Sequence, residues 1–353
     1  SIVAAISALS LIVSMNIGIG SVFAGEQNTV PGTAEQPFVV TDGLFDQTKT
    51  ESDLGLSKIE GAETVTVFTA TDDTDHYCNG VVMTEFKGKL YTQWQSSAKD
   101  EDAEDTWVAY SVSDDNGATW SEPKVLVPTI DNGYCSSGGW FVSGDTLVSY
   151  INVWYSDTTP RGGFAYYVES TDGEHWSEMK PVLMKDGTPM EGIIEQDPHV
   201  LASGRIVNAA HFQPGLFAYP IYTDDPSGTK GWVKAQYTCM EQGEGATTSR
   251  EMEPSLFVNE DGTIVMTFRD QKSSFVRLAA ISTDQGETWS ETVSTNMPDC
   301  RAKQSAGNLP DGTAYLVGCS VNNKGRWPLT ITLSSDGKTF CLLYTSPSPR
   351  DAH

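Results

Sequence analysis

Basic side chains are scarce in this sequence. Lysine and arginine together number 22, against 47 aspartates and glutamates, and the formal net charge is −25. No run of basic residues interrupts this excess of negative charge. A nucleic acid would be repelled at long range, so we expect no nucleic-acid partner. The acidic surface indicates solubility and by itself names no ligand.

Long apolar segments are missing beyond the N-terminus. The chain is apolar and uncharged over 2–19 and then reads Val22-Phe23-Ala24, which suits signal-peptidase cleavage after Ala24. We interpret 1–24 as a signal peptide with a clipped start. We therefore expect a secreted protein, extracellular or periplasmic, that has no membrane contact after cleavage. An uncleaved anchor is the alternative, because this stretch is just long enough to span a bilayer.

Cysteine and histidine form no metal-binding pattern. No two of the six cysteines are close in sequence, and no pair of the five histidines has the spacing of zinc ligands. We predict neither a metal nor a cofactor. Residues 341–353 resemble the translation of a sequencing adaptor and are interpreted as a non-native tail. Five cysteines remain, which allow at most one or two disulfide bridges.

The most informative pattern is an internal repeat. The motif S-x-D-x-G-x-T-W occurs at 113–120 and 282–289, and versions one residue shorter occur at 170–176 and 334–340. A degenerate copy lies at 223–232. A glycine turn followed by an apolar strand recurs in step with the motif, at Gly88, Gly144, Gly204, Gly262 and Gly312. Two independent markers with one period indicate a repeat architecture.

The repeat predicts short strands joined by tight turns. Aspartate and serine side chains hydrogen-bond turn amides, glycine permits positive φ, and tryptophan packs the hairpin onto its sheet. The intervening segments read as strands, such as 106–111 and 264–268, and none has a long helical period. The copies of the motif start 52 to 59 residues apart. A repeat of about this length is typical of four-stranded β-propeller blades. We predict an all-β propeller over 63–340, preceded by a linker over 25–62.

The motif resembles the Asp-box, and its spacing resembles that of the sialidase superfamily over about residues 65–340. This resemblance implies a six-bladed β-propeller of four-stranded blades, with the last blade truncated here. It also implies that the boxes lie outside the blades, away from any ligand. If six blades close into a ring, residues 65–71 are expected to supply the closing strand.

Residues at one phase of the repeat should meet at the propeller axis, where each blade places its inner strand. Nine residues before the turn glycines stand Asn79, Cys135, Glu195, Glu253 and Lys303. Buried polar groups cost free energy unless they are paired, so this set predicts a polar cleft. A plug of structural hydrogen bonds along the axis is the alternative. Neighbours assigned to the same cleft are His76, Tyr134, Asp197, His199, Arg301 and Gln304.

Arginine is concentrated in one part of the chain. Of seven arginines outside the tail, five lie between 250 and 326. A guanidinium binds a carboxylate through two parallel hydrogen bonds, so this concentration predicts a small anionic ligand. The expected partner is a sialylated or other acidic glycan. The arginines assigned to ligand contact are Arg250, Arg269, Arg301 and Arg326.

The resemblance also implies roles for individual residues. Glu253 would activate a tyrosine nucleophile, while Arg269 and Arg326 would hold the substrate carboxylate. Asp102 would protonate the leaving oxygen, with Asp100 and Asp105 as alternatives in the same acidic loop. Two features depart from the family pattern. The first family arginine is absent from 77–80, and the nucleophilic tyrosine falls where the chain ends or becomes foreign.

Histidine offers a different catalyst. His199 and His211 lie on or near predicted cleft strands, and imidazole titrates near neutral pH. Three hypotheses follow: a retaining exo-α-sialidase, a histidine-dependent hydrolase or lyase of uronic-acid polysaccharide, and a non-catalytic carbohydrate-binding propeller. An elimination product absorbs in the ultraviolet and would separate the first two. Binding without turnover would support the third.

Overall fold

The structure, a computed structural model, describes residues 30–49 and 53–345. Strands dominate these residues, and the only helical segment among them is a 3-10 turn at Gln47–Lys49. The strands form five consecutive antiparallel sheets of four or five strands and one separate pair. The prediction of an all-β propeller is confirmed. No helix in the described ranges is long and apolar enough to cross a membrane.

Each blade is built from one continuous stretch of chain. A short strand, β1 (Val39–Val40), precedes them. Blade one contains β2 (Tyr77–Phe86), β3 (Lys89–Ser97), β4 (Trp107–Ser113) and β5 (Lys124–Val127). Blade two contains β6 (Gly133–Ser143), β7 (Thr146–Tyr155), β8 (Phe164–Ser170) and β9 (Lys180–Pro181).

Blade three has a divided inner edge, because two short strands both pair with its first long strand. It contains β10 (Gly192–Ile193), β11 (His199–Val200), β12 (Ile206–Phe212), β13 (Phe217–Thr223) and β14 (Val233–Lys234). Blade four contains β15 (Glu251–Val258), β16 (Ile264–Asp270), β17 (Val276–Ser282) and β18 (Val293–Pro298). Blade five contains β19 (Ser305–Asn308), β20 (Ala314–Gly318), β21 (Thr330–Ser334) and, beyond β22 (Thr339–Phe340), β23 (Leu342–Thr345).

The described residues thus form five of the six blades that the family resemblance implies. Blade five has all four of its strands, and β23 lies in the segment interpreted from sequence as a non-native tail. Residues 65–71, considered as a closing strand, adopt no strand conformation. Strand pairing does not join blade five to blade one anywhere in 30–49 or 53–345.

Both sequence markers occupy equivalent places in the blades. The Asp-box copies follow β4, β8, β13, β17 and β21, and the glycine turns precede β3, β7, β12, β16 and β20. In the box at 282–289, Asp284 accepts hydrogen bonds from the Thr288 amide at 2.9 Å and the Thr288 hydroxyl at 2.5 Å. The Gly286 amide donates to Ser282 at 2.9 Å, and Trp289 Nε1 donates to the Gly286 carbonyl at 3.0 Å. The motif is therefore a turn that is stabilised by hydrogen bonds among its own residues, as its composition predicts.

Side-chain amides hold neighbouring blades together. Asn152 of blade two donates to the Ile194 carbonyl at 2.7 Å and accepts from the Ile194 amide at 2.9 Å. Asn308 of blade five makes the same pair of bonds with Val258 of blade four, each at 2.8 Å. These bonds satisfy backbone groups that strand pairing leaves free. They also fix the angles between inner strands, and hence between the side chains at the strand ends.

The segment before the blades packs on blades four and five. Strand β1 pairs in parallel with β22. Phe38 is fully buried and meets the rings of Phe257 and Phe340 edge-on. Burying a phenylalanine contributes roughly 1.5–3 kcal/mol. Part of the stretch predicted as a linker is therefore an element of the core.

Candidate functional site

A cleft of about 310 Å³ lies at one end of the inner strands, and all five blades contribute to it. This volume is within the range of small-ligand pockets. The structure brings together eight of the residues assigned from sequence: Asn79, Asp102, Tyr134, Glu195, Glu253, Arg269, Lys303 and Arg326. Four of them stand nine residues before a turn glycine, and this offset places them at the same end of successive blades. The predictions of their roles stay predictions.

Glu253 lies at an irregularity in the inner strand of blade four. The register of β15 and β16 shifts between Met252 and Ser255, and Glu253 has a positive φ of 50°. A positive φ is uncommon for a side chain of this size and marks local strain. The adjacent pairing of Met252 with Arg269 brings the guanidinium beside the Glu253 carboxylate. Arg269 Nη1 lies 3.1 Å from Oε1 and 3.0 Å from Oε2.

The environment of Glu253 favours its protonated form. Burial, helped by the negative charge of Glu195, raises the pKa of Glu253 to about 7, although Arg269 acts in the opposite direction. A group with this pKa can accept or donate a proton near neutral pH. Glu253 therefore has the protonation equilibrium that a general acid or base needs.

His211 lies behind the cleft wall and contacts both Glu195 and Glu253. It lies on β12 and is 1% exposed, so it does not line the cleft itself. Its Nε2 accepts a hydrogen bond from the Glu253 amide at 3.2 Å, which places the ring proton on Nδ1. That Nδ1 lies 3.3 Å from Glu195 Oε2. Burial lowers the pKa of His211, so the imidazole is neutral at physiological pH.

Glu195 is the more acidic of the two glutamates. Burial alone would raise its pKa, but the Nδ1–H side of His211, which faces the carboxylate, and the positive charges of Lys303 and Arg269 outweigh that effect and hold the pKa below its ordinary value. The cleft thus contains one carboxylate that is ionised at neutral pH, Glu195, and one that is partly protonated there, Glu253. Such a separation is how paired carboxylates take different roles in acid–base chemistry.

Several buried polar atoms around this pair have no hydrogen-bond partner in the described chain. They are Glu195 Oε2, His211 Nδ1, Glu253 Oε2 and Arg269 Nε. Buried polar atoms are nearly always hydrogen-bonded in folded proteins. Three of these atoms face a polar neighbour without hydrogen-bond geometry: Glu195 Oε2 and His211 Nδ1 are 3.3 Å apart, and Glu253 Oε2 lies 3.0 Å from Arg269 Nη1.

Two cations line the cleft without a carboxylate partner. Lys303 and Arg326 are both exposed, and neither forms an ion pair within the described residues. Most of the other arginines already form ion pairs, as Arg205 does with Asp224 on the outer surface. In a chain of net charge −25, two unpaired cations at one cleft favour a small anion there.

A third arginine, Arg161, enters the cleft from the loop after β7, and its position in the repeat does not predict this. Its Nη2 lies 2.5 Å from Asp102 Oδ1 and 2.6 Å from the Tyr134 hydroxyl. Its guanidinium lies over the Trp154 ring, 4.7 Å from the centroid. This stacking sets the plane in which the guanidinium can meet a ligand.

Tyr134 is the one tyrosine that lines the cleft in the part of the chain described here. Its hydroxyl donates to Asp102 Oδ1 at 2.7 Å and accepts from Arg161. Burial and the hydrogen bond to Asp102 raise the pKa of Tyr134. The sequence places Tyr134 near the axis, next to Cys135, but does not reveal its pairing with Asp102, because the two belong to different blades. Asp100 and Asp105 instead accept backbone amides of the same loop.

Five of the residues assigned to the cleft from sequence have other surroundings. Arg250 forms a two-bond pair with Asp270, at 2.8 and 2.7 Å. Asp197 is half-buried and accepts the Trp140 amide at 2.6 Å. His76 is exposed and outside the cleft lining. None of these side chains reaches the cleft, and the same holds for two near neighbours of Lys303, the half-buried Arg301 and the buried Gln304.

His199 lies at the opposite end of the inner edge of blade three. It pairs with Val207, whereas the cleft end of that blade is marked by Ile193 pairing with His211. Burial lowers the pKa of His199 to about 4, so the ring is neutral. It borders a larger cavity of about 900 Å³ whose charged lining is acidic: Glu260, Asp311 and Asp336. Without a basic residue in its lining, this cavity does not suit an anion, and His199 is separated from the cleft.

The described residues offer no obvious metal site. In 30–49 and 53–345, no three side chains of the histidine, cysteine, aspartate or glutamate types converge on one point. The side chains that line the cleft include three glutamates, Glu101, Glu195 and Glu253, an aspartate–tyrosine pair and several cations.

The fold and the cleft define a sialidase-like β-propeller built from Asp-box repeats. Residues 88–349 match the family described as BNR repeat-like domain, and the chain belongs to that family. No curated protein matches it in sequence.

Solved structures share the fold at low sequence identity. A Dyadobacter fermentans protein of unknown function is 14% identical, with a TM-score of 0.63, over 80% of this chain and 85% of that one. The intramolecular trans-sialidase of Ruminococcus gnavus is 15% identical, with a TM-score of 0.60, over 80% of this chain and 88% of that one. A Hadza microbial sialidase is 18% identical, with a TM-score of 0.59, over 75% of this chain and 57% of that one. At these identities the likeness shows the fold alone.

Proposed function

We propose that the cleft releases a terminal acidic sugar from a glycan, as a secreted exo-α-sialidase-like glycoside hydrolase. The observation that carries this proposal is the combination of unpaired Lys303 and Arg326 with the Arg269–Glu253 pair in one small cleft. The cations suit a sugar carboxylate, and Glu253 can transfer a proton near neutral pH.

Each cleft side chain has a role in this proposal. Arg326 and Lys303 bind the carboxylate of the sugar. Arg269 holds Glu253 through Nη1 and also contributes to binding the sugar carboxylate. Tyr134 is the described tyrosine that can attack the anomeric carbon, and its proton would pass to Asp102, to which its hydroxyl already donates. Asp102 would then protonate the leaving oxygen, and Glu253 would accept the proton of the water that releases the bound sugar.

The absence of an arginine at 77–80 has a structural counterpart. Asn79 occupies that place and donates to Glu101 at 3.0 Å. Arg161 reaches the cleft from another blade and supplies a guanidinium on the side of Tyr134. The proposal therefore does not require the missing arginine for charge balance.

The histidine-dependent alternative has less support. His211 is buried behind Glu195 and Glu253, and His199 borders the other cavity. Neither imidazole can touch a sugar in the cleft without a rearrangement. A lyase would need another residue, such as Tyr134, to remove the proton.

The test uses the purified chain and three fluorogenic glycosides, an N-acetylneuraminide, a glucuronide and an uncharged glucoside. Release from an acidic glycoside but not from the glucoside is expected, and proton NMR of the first-formed product should show retained anomeric configuration. Formation of an ultraviolet-absorbing unsaturated sugar from a uronic-acid polysaccharide would replace this proposal with the lyase. Calorimetric binding of free sialate without any turnover would replace it with the carbohydrate-binding propeller.

A further inference from the structure

Two cysteines meet beneath the cleft, at the entry and exit of the first hairpin of blade five. The Cys300 amide donates to the Cys319 carbonyl at 3.1 Å, so the two backbones are direct neighbours. Both residues are buried, at 1% and 9% exposure, in a cluster with Leu54 and Val321. Backbone-paired neighbours have Cα atoms about 4.5–5.5 Å apart, within the range that a disulfide spans. In the structure they are free thiols.

The side chains of the pair also influence each other's ionisation. Hydrogen bonding with Cys319 raises the pKa of Cys300, and hydrogen bonding with Cys300 lowers the pKa of Cys319. The remaining buried cysteine, Cys135, belongs to the core shared by blades one and two. The pair is therefore distinguished from the other cysteines by contact, and not only by burial.

A buried cation adjoins the pair. Arg277 is 0% exposed, and its Nη2 lies 3.5 Å from Asp299, the residue before Cys300. A Cβ atom at Gly318, the residue before Cys319, would come within 2.5 Å of the same Nη2. A positive charge beside a thiol favours the thiolate, which is the form that undergoes disulfide exchange.

The pair lies at the base of two segments that carry cleft cations. Cys300 is three residues before Lys303, and Cys319 is seven residues before Arg326. A covalent bond between the cysteines would restrict both segments at their origin. Neither Lys303 nor Arg326 has an ion pair of its own in the described chain, so this anchorage would determine how well they are placed.

We propose that Cys300 and Cys319 form a disulfide bond that fixes the segments bearing Lys303 and Arg326. One cysteine thiolate attacks the disulfide that acts as the oxidant, which forms a mixed disulfide and releases one thiol. The second cysteine thiolate then attacks the sulfur of the first cysteine and releases the remaining half of the oxidant as the second thiol. The two cysteines lose two protons and two electrons, and the oxidant is reduced to two thiols. Because Cys300 is buried, the reaction takes place during folding. The bond closes a loop of 20 residues, counted from Cys300 to Cys319 inclusive, and limits the freedom of the unfolded chain.

The chemical test is independent of enzymatic activity. The full chain is refolded with glutathione disulfide, alkylated without reduction and digested. A cross-linked peptide pair containing Cys300 and Cys319, converted by reductant into two alkylatable peptides, is expected. Alkylation of both cysteines in the oxidised protein, or their pairing with other cysteines, would overturn the proposal.

Variants supply the second readout. The thermal midpoint of the wild type should fall on adding reductant, whereas Cys300→Ser and Cys319→Ser should start lower and respond little. Cys78→Ser removes an exposed cysteine elsewhere and should keep the response of the wild type. An equal midpoint for wild type with and without reductant would count against the bond.

A binding measurement tests the positioning role, which rests on the proposed function. Reduction should weaken binding of sialate or glucuronate several-fold. If the bond forms but affinity does not change on reduction, the positioning role is wrong. If neither redox state binds an acidic sugar, the proposed function fails while the disulfide stands.

Discussion

Arg269 holds the carboxylate of Glu253 through one guanidinium nitrogen, Nη1, which lies 3.1 Å from Oε1 and 3.0 Å from Oε2. The two residues are 16 positions apart, yet their side chains meet because β15 and β16 are antiparallel neighbours. Within the described residues, Arg269 Nε has no hydrogen-bond partner, and Glu253 Oε2 has only the ion pair with Arg269. Arg269, which can bind an anion, is thus paired with Glu253, which can exchange a proton near neutral pH.

Replacing Glu253 with glutamine should remove proton transfer while preserving shape. We expect turnover to fall roughly 10²–10⁴-fold, because general acid–base catalysis contributes that much, with little change in ligand affinity. Initial rates and calorimetry check this. Glu291→Gln, a change on the exposed surface, should match the wild type. A loss of only a few-fold for Glu253→Gln would show that another residue is the base.

Replacing Arg269 with lysine should weaken binding of an acidic sugar by roughly ten-fold or more, because an ammonium cannot reproduce the guanidinium fork. The effect should be absent for an uncharged sugar. Arg205→Lys is a suitable comparison, since Arg205 is also paired with acids but lies on the outer surface. Equal loss of affinity in the two variants would mean that the cleft does not bind the carboxylate through Arg269.

Removing the hydroxyl of Tyr134 should lower turnover at least 10²-fold if it attacks the sugar or carries a proton. Tyr134→Phe keeps the ring stacked on Trp154, so the fold should be unaffected. Tyr167→Phe in β8, outside the cleft lining, is the control. Wild-type kinetics in Tyr134→Phe would leave the nucleophile outside the described residues.

His211 should act by positioning Glu253 and not by touching substrate. His211→Gln can still accept the Glu253 amide in place of Nε2, so we expect it to keep most turnover. His211→Ala should lose considerably more and shift the pH profile, because it removes both the acceptor and the neighbour of Glu195. If glutamine and alanine abolish activity alike while Glu253→Gln remains active, histidine is the base.

Asp197 should make the protein less stable as pH rises from about 4 to 6. Burial raises the pKa of Asp197 to about 6, so in this window the folded state binds more protons than the unfolded state. Asp197→Asn keeps an acceptor for the Trp140 amide. Above pH 6 it should therefore be more stable than wild type by up to about 3 kcal/mol, at 1.36 kcal/mol for each pKa unit.

Urea unfolding at several pH values measures this difference. The advantage of Asp197→Asn should vanish near pH 4, where the wild-type carboxyl is protonated in both states. Asp145→Asn, at an exposed turn, should follow the wild-type profile throughout. A constant difference between Asp197→Asn and wild type at all pH values would show that Asp197 does not titrate in this range.

The repeat architecture could be predicted from sequence because its signals are local. The contacts of the box at 282–289 involve residues two to four positions apart, so the motif carries its own structure. The glycine turns fixed the phase of the inner strands, which sufficed to place Glu195, Glu253 and Lys303 at one cleft. The prediction failed for His199 because blade three divides its inner edge, and a phase count cannot show that division.

Amino-acid order alone determined the all-β class, the positions of the Asp-boxes and the approximate membership of the cleft, since these depend on interactions within one repeat. Only the tertiary structure decided which charges are paired. It joined Arg161 to Asp102, placed His211 behind two glutamates and left Lys303 and Arg326 without partners in the described chain. These contacts link different blades, and their distances depend on the angles between blades, which no local pattern encodes.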